Sequence, residues 1–441
     1  MLLKPPRGTR DFYPEDLRLR EWLFGRFRGV SLRFGFEEVD APVVETAELC
    51  ERKAGEEIAG QVFSILPPGQ REGRERLVLR PEFTPSLARM IYARRGQLRL
   101  PLRWFALPQC WRYERPGRGR RREHYQWNMD IWGEPDVTAE AELLAAIFAA
   151  LDDFGLPPGA VRMRINHRGL LDEMLRERFL RERPEAFKPL CIVIDKLEKI
   201  GREAVEEQLC DPAGPLGEAR LSQPDAREVT AMLELRGIEE VARSLGKRAE
   251  NSAAIAELRR LWELLDSTGL AGRVEFDGSV VRGLAYYTGV VFEASDAAGR
   301  FRAICGGGRY DGMLGELDPG AGKAGAKGLP AVGFGFGDAV IVELLRAENL
   351  LPNAARRLDA VVYPMGETER PAAMRLAAAL RAQGLAVELL LGTPKARRAF
   401  ADADRAGAAR VYLIGPDELA RKAVRVKELA SGAEHEEPLP G

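Results

Sequence analysis

The stretch CWRYERPGRGRRREHYQWNMD, residues 110–130, constrains the fold more than any other part of the chain. Short β-like runs at 110–113 and 125–131 flank a middle holding Pro116, Gly117 and Gly119, residues that interrupt regular structure. The pattern is a strand–loop–strand hairpin with a basic tip: six arginines and two glutamates lie between Arg112 and Glu123, both included. Alternation puts Arg112 and Glu114 on one face of the outgoing strand, and Gln126, Asn128 and Asp130 on one face of the return strand. Guanidinium forks suit phosphate oxygens, because they offer planar paired donors and keep their charge. A sheet face that carries an arginine beside amides and acceptors is built to meet a polar ligand.

Around this hairpin the chain alternates between regimes. Apolar residues at helical spacing (Leu17, Leu19, Trp22, Leu23, Phe27, Val30, Leu32) predict a helix over 16–34, ended by Gly35. A strand interrupted by Pro42 is expected over 36–44, and further strands at 77–79 and 104–107. A helix over 138–154 should open on the cap Thr138. From about 168 to 268 the pattern turns helical and charge-laced, which reads as an inserted helical domain. Strands resume at 274–276 and 289–294, and 319–328 (PGAGKAGAKG) reads as a surface loop. After a linker at 352–358, strands at 360–363, 386–391 and 410–414 alternate with helices at 370–383 and 395–406, an α/β module with a mostly parallel sheet. The expected architecture is α+β: an antiparallel-sheet body at 1–167 and 269–350, a helical insertion at 168–268, and a C-terminal α/β domain at 357–441.

At 441 residues the chain is long enough for two or three domains. No apolar run approaches the roughly 18 residues of a membrane span, and the N-terminus lacks a secretory layout, so no membrane partner and a cytoplasmic location are expected. Five scattered cysteines without a CxxC, and three distant histidines (His124, His167, His435), argue against a disulfide scaffold and against zinc. With 66 basic and 67 acidic side chains the net charge is −1. That balance does not suit a protein that wraps long nucleic acid by charge, so no DNA partner is expected and any RNA must meet local patches. The glycine-rich segments at 320–328 and 333–338 lack the residue order of a P-loop or a dinucleotide fingerprint.

Arg112-Tyr113-Glu114, a loop and a basic return strand resemble the second signature of class II aminoacyl-tRNA synthetases. Together with PPRGTRDFYPED (5–16), LRPEFTPSLAR (79–89), VRGLAYYTGVVFE (281–293) and ICGGGRYDGM (304–313), the hairpin resembles the histidyl-tRNA synthetase family over nearly the full chain. The resemblance implies a class II catalytic body with a C-terminal anticodon-binding domain, acting on ATP, L-histidine and tRNA(His). It places Glu82, Thr84 and Gln126 at the histidine α-ammonium group, and Asp130, Tyr287 and Tyr310 at the imidazole. Aspartate at 130 is one methylene shorter than the glutamate frequent in the family. Arg112, at the position that grips the α-phosphate, and Arg282, at that of the arginine peculiar to histidine enzymes, would be catalytic, and Glu114 and Arg120 would join them in binding ATP. No side-chain nucleophile is needed; catalysis would be positioning and charge neutralisation. Mg²⁺ is expected with ATP rather than in a protein cage, with no zinc and no organic cofactor.

Arg115, Arg118, Arg121 and Arg122 on the hairpin are candidates for the tRNA acceptor stem, and Lys395, Arg397, Arg398, Arg405 and Arg410 supply basicity in the C-terminal module. Residues 33–45 resemble the first class II signature, which implies a homodimer. One departure stands out: Val340 occupies the place of the arginine that stacks on adenine, which implies weaker or differently shaped adenine binding. The rival reading is an inert synthetase-like regulatory subunit of ATP phosphoribosyltransferase. Such proteins lack the anticodon module and the intact histidine signature, both of which this chain keeps.

Overall fold

Helix formation begins at Pro14–Arg33, where Pro14 supplies a preset first turn and Glu15 and Asp16 face the positive end of the helix dipole. The molecule is described from a computed structural model covering residues 3–53, 60–66, 76–117, 119–280, 287–315, 328–392 and 394–440. It divides into two compact units, Met1–Asp11 with Arg20–Leu351, and Phe12–Leu19 with Pro352–Gly441.

The larger unit is organised by a nine-stranded sheet. Its strands are β1 (Glu37–Glu38), β5 (Leu102–Ala106), β6 (Gln109–Trp111), β7 (Glu123–Trp132), β8 (Val161–His167), β9 (Val274–Phe276), β10 (Val290–Asp296), β11 (Cys305–Arg309) and β12 (Ala331–Gly337), in the order β1-β5-β7-β12-β11-β10-β8-β9, with β6 also on β7. Every pairing is antiparallel except the outermost two, β1–β5 and β8–β9. A smaller sheet holds β2 (Val44–Thr46), β3 (Phe63–Ile65) and β4 (Leu77–Leu79). The single strand expected over 36–44 is thus two short ones in different sheets, because Pro42 cannot donate to a ladder.

One face of the large sheet carries the main core. Trp127, Met129 and Ile131 of β7 and Phe334 and Phe336 of β12 all point into it, with Phe27 stacked on Trp127 at 4.7 Å. The helix Thr138–Asp153 packs there too. Thr138 is its first residue rather than its cap; Asp136 Oδ1 accepts the Thr138 N–H at 2.8 Å instead. The helices between Arg168 and Ser267 contribute Leu171, Leu190, Val229, Ile255 and Leu258 to this same core, so they share one packed interior with the sheet.

The second unit holds a five-stranded sheet, β13 (Leu358–Pro364), β14 (Val387–Leu389), β15 (Ala408–Ile414), β16 (Ala423–Glu428) and β17 (Glu434–Pro438), ordered β14-β13-β15-β16-β17. The first three strands are parallel, but β16 and β17 add antiparallel. The expectation of a mostly parallel sheet is therefore corrected to a mixed one. The final strand, EHEEP, has no apolar alternation because it is an exposed, charged edge. Among the described residues no helix is long and apolar enough to cross a membrane.

Candidate functional site

The hairpin predicted from sequence is present. Strand β6 pairs with β7 from Gln109↔Tyr125 to Trp111↔Glu123, and the Arg112 N–H continues the ladder to Arg122 O at 2.9 Å. Its tip closes through Gly119, whose φ of +68° is a conformation that favours glycine. Arg112 Nε donates to Pro81 O at 2.9 Å, which ties the hairpin to the segment bearing Glu82 and Thr84. Arg120 pairs with Glu114, and Arg122 Nε donates to the Glu114 carbonyl at 3.1 Å while its guanidinium lies 3.7 Å over the Tyr113 ring.

Between the hairpin, the turn before β11 and the start of the helix Asp338–Ala347 lies a cleft of about 210 Å³. Arg112, Glu114, Arg120, Arg121, His124 and Gln126 line one side, and Arg302, Ile304, Gly306, Gly335 and Val340 the other. Burial and the positive charges of Arg112 and Arg10 push His124 down to about 3, so it stays neutral in the working range. Glu82 is raised from its ordinary value by burial, against the opposing pull of Arg112.

The floor of this site follows from strand alternation. On β12 the residues beside Gln126, Asn128 and Asp130 are Gly337, Gly335 and Gly333; on β11, Gly306 and Gly308 continue the rows. The alternate positions of β12, Phe334 and Phe336, go to the core. AVGFGFG therefore encodes a sheet with phenylalanine beneath and open space above. Gly333 has no room for a side chain: a Cβ there would stand 2.0 Å from Asp130 Oδ1.

Further along the same face, Tyr310 donates its hydroxyl to Asp130, and both are buried. Burial pushes the Asp130 carboxyl up to about 7, and the Tyr310 hydrogen bond only partly offsets it. Tyr287 sits 6.4 Å from Tyr310, ring to ring. Of the expected residues, then, Arg112, Glu114, Arg120, Arg121 and Gln126 line one cleft, whereas Asp130 and Tyr310 lie beyond it along β7. Thr84 opens the helix Thr84–Arg94 directly after Glu82 and Phe83. Arg115 is exposed on the hairpin. Arg282 and Arg118 lie outside the described residues.

Several structural contributors escaped sequence reasoning. Arg10, from PPRGTRDFYPED, donates to Glu123 at 2.7 Å and to Asp338 at 3.0 Å, clamping the hairpin base to the helix after β12. Arg80 is buried, donating to Ala41 O at 2.7 Å and Gln109 O at 3.0 Å. Arg309 of GGGRYD pairs with fully buried Glu140 at 2.6 Å. Arg302 enters the cleft from the turn before β11. All are arginines with partners or neighbours far away in sequence, which no local pattern reveals. In the second unit Arg398 and Arg405 both lie near Asp402, and Arg410 pairs with Glu428. Among the described residues no group of three or more His, Cys, Asp or Glu is placed to hold a metal ion.

Residues 8–337 match a family model described as Histidyl-tRNA synthetase, and residues 359–439 match one described as Anticodon binding domain. The chain is similar to the chloroplastic/mitochondrial histidine–tRNA ligase of Arabidopsis thaliana, 43% identical over 437 residues that cover 99% of this chain and 85% of that one. Among solved structures, histidyl-tRNA synthetase from Nostoc sp. aligns with a TM-score of 0.78 over 99% of this chain and 97% of that one; at 22% identity this is a likeness of fold. A protein from Bacillus halodurans C described as an ATP phosphoribosyltransferase regulatory subunit/histidyl-tRNA synthetase aligns at 0.73 and 25% identity, over 94% of this chain and 98% of that one.

Proposed function

The chain belongs to the histidyl-tRNA synthetase family, and from that premise we propose that it activates L-histidine with ATP and transfers it to the 3′ end of tRNA(His). In the first step a histidine carboxylate oxygen attacks the α-phosphorus; the bond to the β-phosphate breaks and pyrophosphate leaves. In the second, a terminal tRNA hydroxyl attacks the activated carbonyl and AMP leaves. The observation that carries this reading is the convergence of Arg112, Glu114, Arg120 and Gln126 on one cleft above a glycine floor, with the Asp130–Tyr310 pair on the same face of β7.

Arg112 is assigned to the α-phosphate. Its Pro81 hydrogen bond fixes its direction before the ligand arrives, so charge developing on the phosphoryl oxygens meets a donor already in place. Arg282 is assigned beside it. Glu114 and Arg120 hold each other and would open toward the outer phosphates of ATP, which enters as its Mg²⁺ complex. Glu82, Thr84 and Gln126 are assigned to the α-ammonium group, and Asp130, Tyr310 and Tyr287 to the imidazole. The buried Asp130–Tyr310 pair, whose carboxyl titrates near 7, presents an acceptor and a hydroxyl to a ring with two nitrogens. Arg115, Arg118 and Arg121 are assigned to the tRNA acceptor stem; Arg121 also borders the nucleotide cleft.

The catalytic body is assigned to 1–167 and 269–350, the insertion to 168–268 and the anticodon-binding domain to 357–441. We assign a homodimer through 33–45 and a cytoplasmic location. Charging of tRNA(His) with labelled histidine tests the reading. Histidyl-tRNA that forms with ATP, and with histidine alone among the amino acids, is the expected result. Histidine binding without charging or adenylate formation would favour the regulatory-subunit reading instead.

A further inference from the structure

Asn128 is the one member of the polar triplet on β7 to which the resemblance assigns no role. It lies between Gln126 and Asp130 on the strand, and alternation sends all three to the same side. Cross-strand neighbours agree. Asn128 pairs in register with Gly335, and a Cβ built there would stand 3.6 Å from both the Asn128 and the Gln126 amide nitrogens. Its side chain therefore stands over the glycine floor. Asn128 is only 4% exposed, and its carboxamide oxygen is buried with no hydrogen-bond partner. The amide nitrogen is the end that lies over the floor, and the oxygen is its buried end. A buried polar atom without a partner is destabilising, so the fold keeps Asn128 for something other than its own stability.

We propose that Asn128 is a specificity residue whose carboxamide hydrogen-bonds the bound amino acid. The row position supports this. Residues two apart on a strand are separated by about 6.6 Å, so Asn128 stands midway between the ammonium-binding Gln126 and the imidazole-binding Asp130. An amino acid lying along β7 passes over it. With aspartate at 130 reaching one methylene less far than glutamate, Asn128 adds a third polar group at the middle row. The inference rests on the histidine-activating reading above.

The test is ATP–pyrophosphate exchange by the full-length wild type, Asn128→Ala and Asn128→Ser, with the thermal midpoint of each free protein. Loss of the contact should raise the histidine KM about tenfold, the size of one hydrogen bond to a charged or polar ligand, with the ATP KM unchanged. The free variants should melt at the same temperature as wild type or higher, since they remove an unpaired buried oxygen. A purely structural asparagine gives the reverse, a lower midpoint with an unchanged histidine KM, and that result overturns the proposal. An unchanged KM with an unchanged midpoint overturns it as well, leaving an ordered water as the partner. Should Asn128→Ala fail to fold, Asn128→Ser carries the same two readouts. If wild type itself shows no exchange with histidine, the activity reading fails rather than this one.

Discussion

The two faces of β7 are made by alternate residues of one ten-residue strand, and they are built to opposite rules. On one face Trp127, Met129 and Ile131 are packed into the main core, and the Trp127 indole N–H is satisfied by Ser31 Oγ at 2.9 Å. On the other, Asn128 keeps an unpaired oxygen and Asp130 a carboxyl pushed up to about 7. The first face is optimised for the folded state alone. The second is held in place by the first, and in the proposed function its unspent hydrogen-bonding capacity serves a ligand. That is the stability–function trade-off expected of a preorganised polar site.

Breaking the core face should have the largest effect. Trp127→Ala removes a fully buried indole stacked on Phe27 and should cost about 3–5 kcal/mol, read as a lower urea midpoint. Next comes the cleft. Arg112→Ala should lower the exchange rate by about 10²–10³ while leaving the melting temperature nearly unchanged, the reverse of the Trp127 result.

Asp130→Asn sharpens the contrast through pH. In the folded protein Asp130 holds its proton up to about 7, whereas an unfolded aspartate releases it near its ordinary value. The folded state thus binds more protons in between, and this group's contribution to stability is full at low pH and lost as pH rises through about 7. The variant should therefore gain stability over wild type at pH 8 and lose that advantage by pH 4, in melts run across the range. Its histidine KM should rise at pH 8, because the ionised acceptor is gone. The smallest effect belongs to the surface of the second unit: replacing exposed Arg398, next to half-buried Asp402, in Arg398→Ala should change stability by no more than about 0.5 kcal/mol.

The same contrast explains what could be read from the sequence. The hairpin was legible because Pro116, Gly117 and Gly119 break two β-like runs, and the helix at Pro14–Arg33 because its apolar spacing is local. AVGFGFG carries its two faces openly, phenylalanine to the core and glycine to the site, although it reads as a fingerprint decoy until the register with β7 is known. What stayed hidden is non-local. Arg10 reaches Asp338 across 328 positions, and Arg80 anchors to backbone carbonyls that have no sequence signature. The cap at 138 was misplaced because Asp136, two residues earlier, makes the bond, and β17 was missed because a charged edge strand has no apolar period. The assignment of Tyr287 and Tyr310 to an imidazole rests on resemblance; the geometry adds that Tyr310 already engages Asp130.

The most direct test of the central claim is ATP–pyrophosphate exchange run with each amino acid separately, on wild type and on Arg112→Ala. Exchange that depends on histidine alone and falls at least a hundredfold in the variant is the predicted result. No exchange with any amino acid, or equal exchange in both proteins, would contradict the assignment of this cleft to histidine activation.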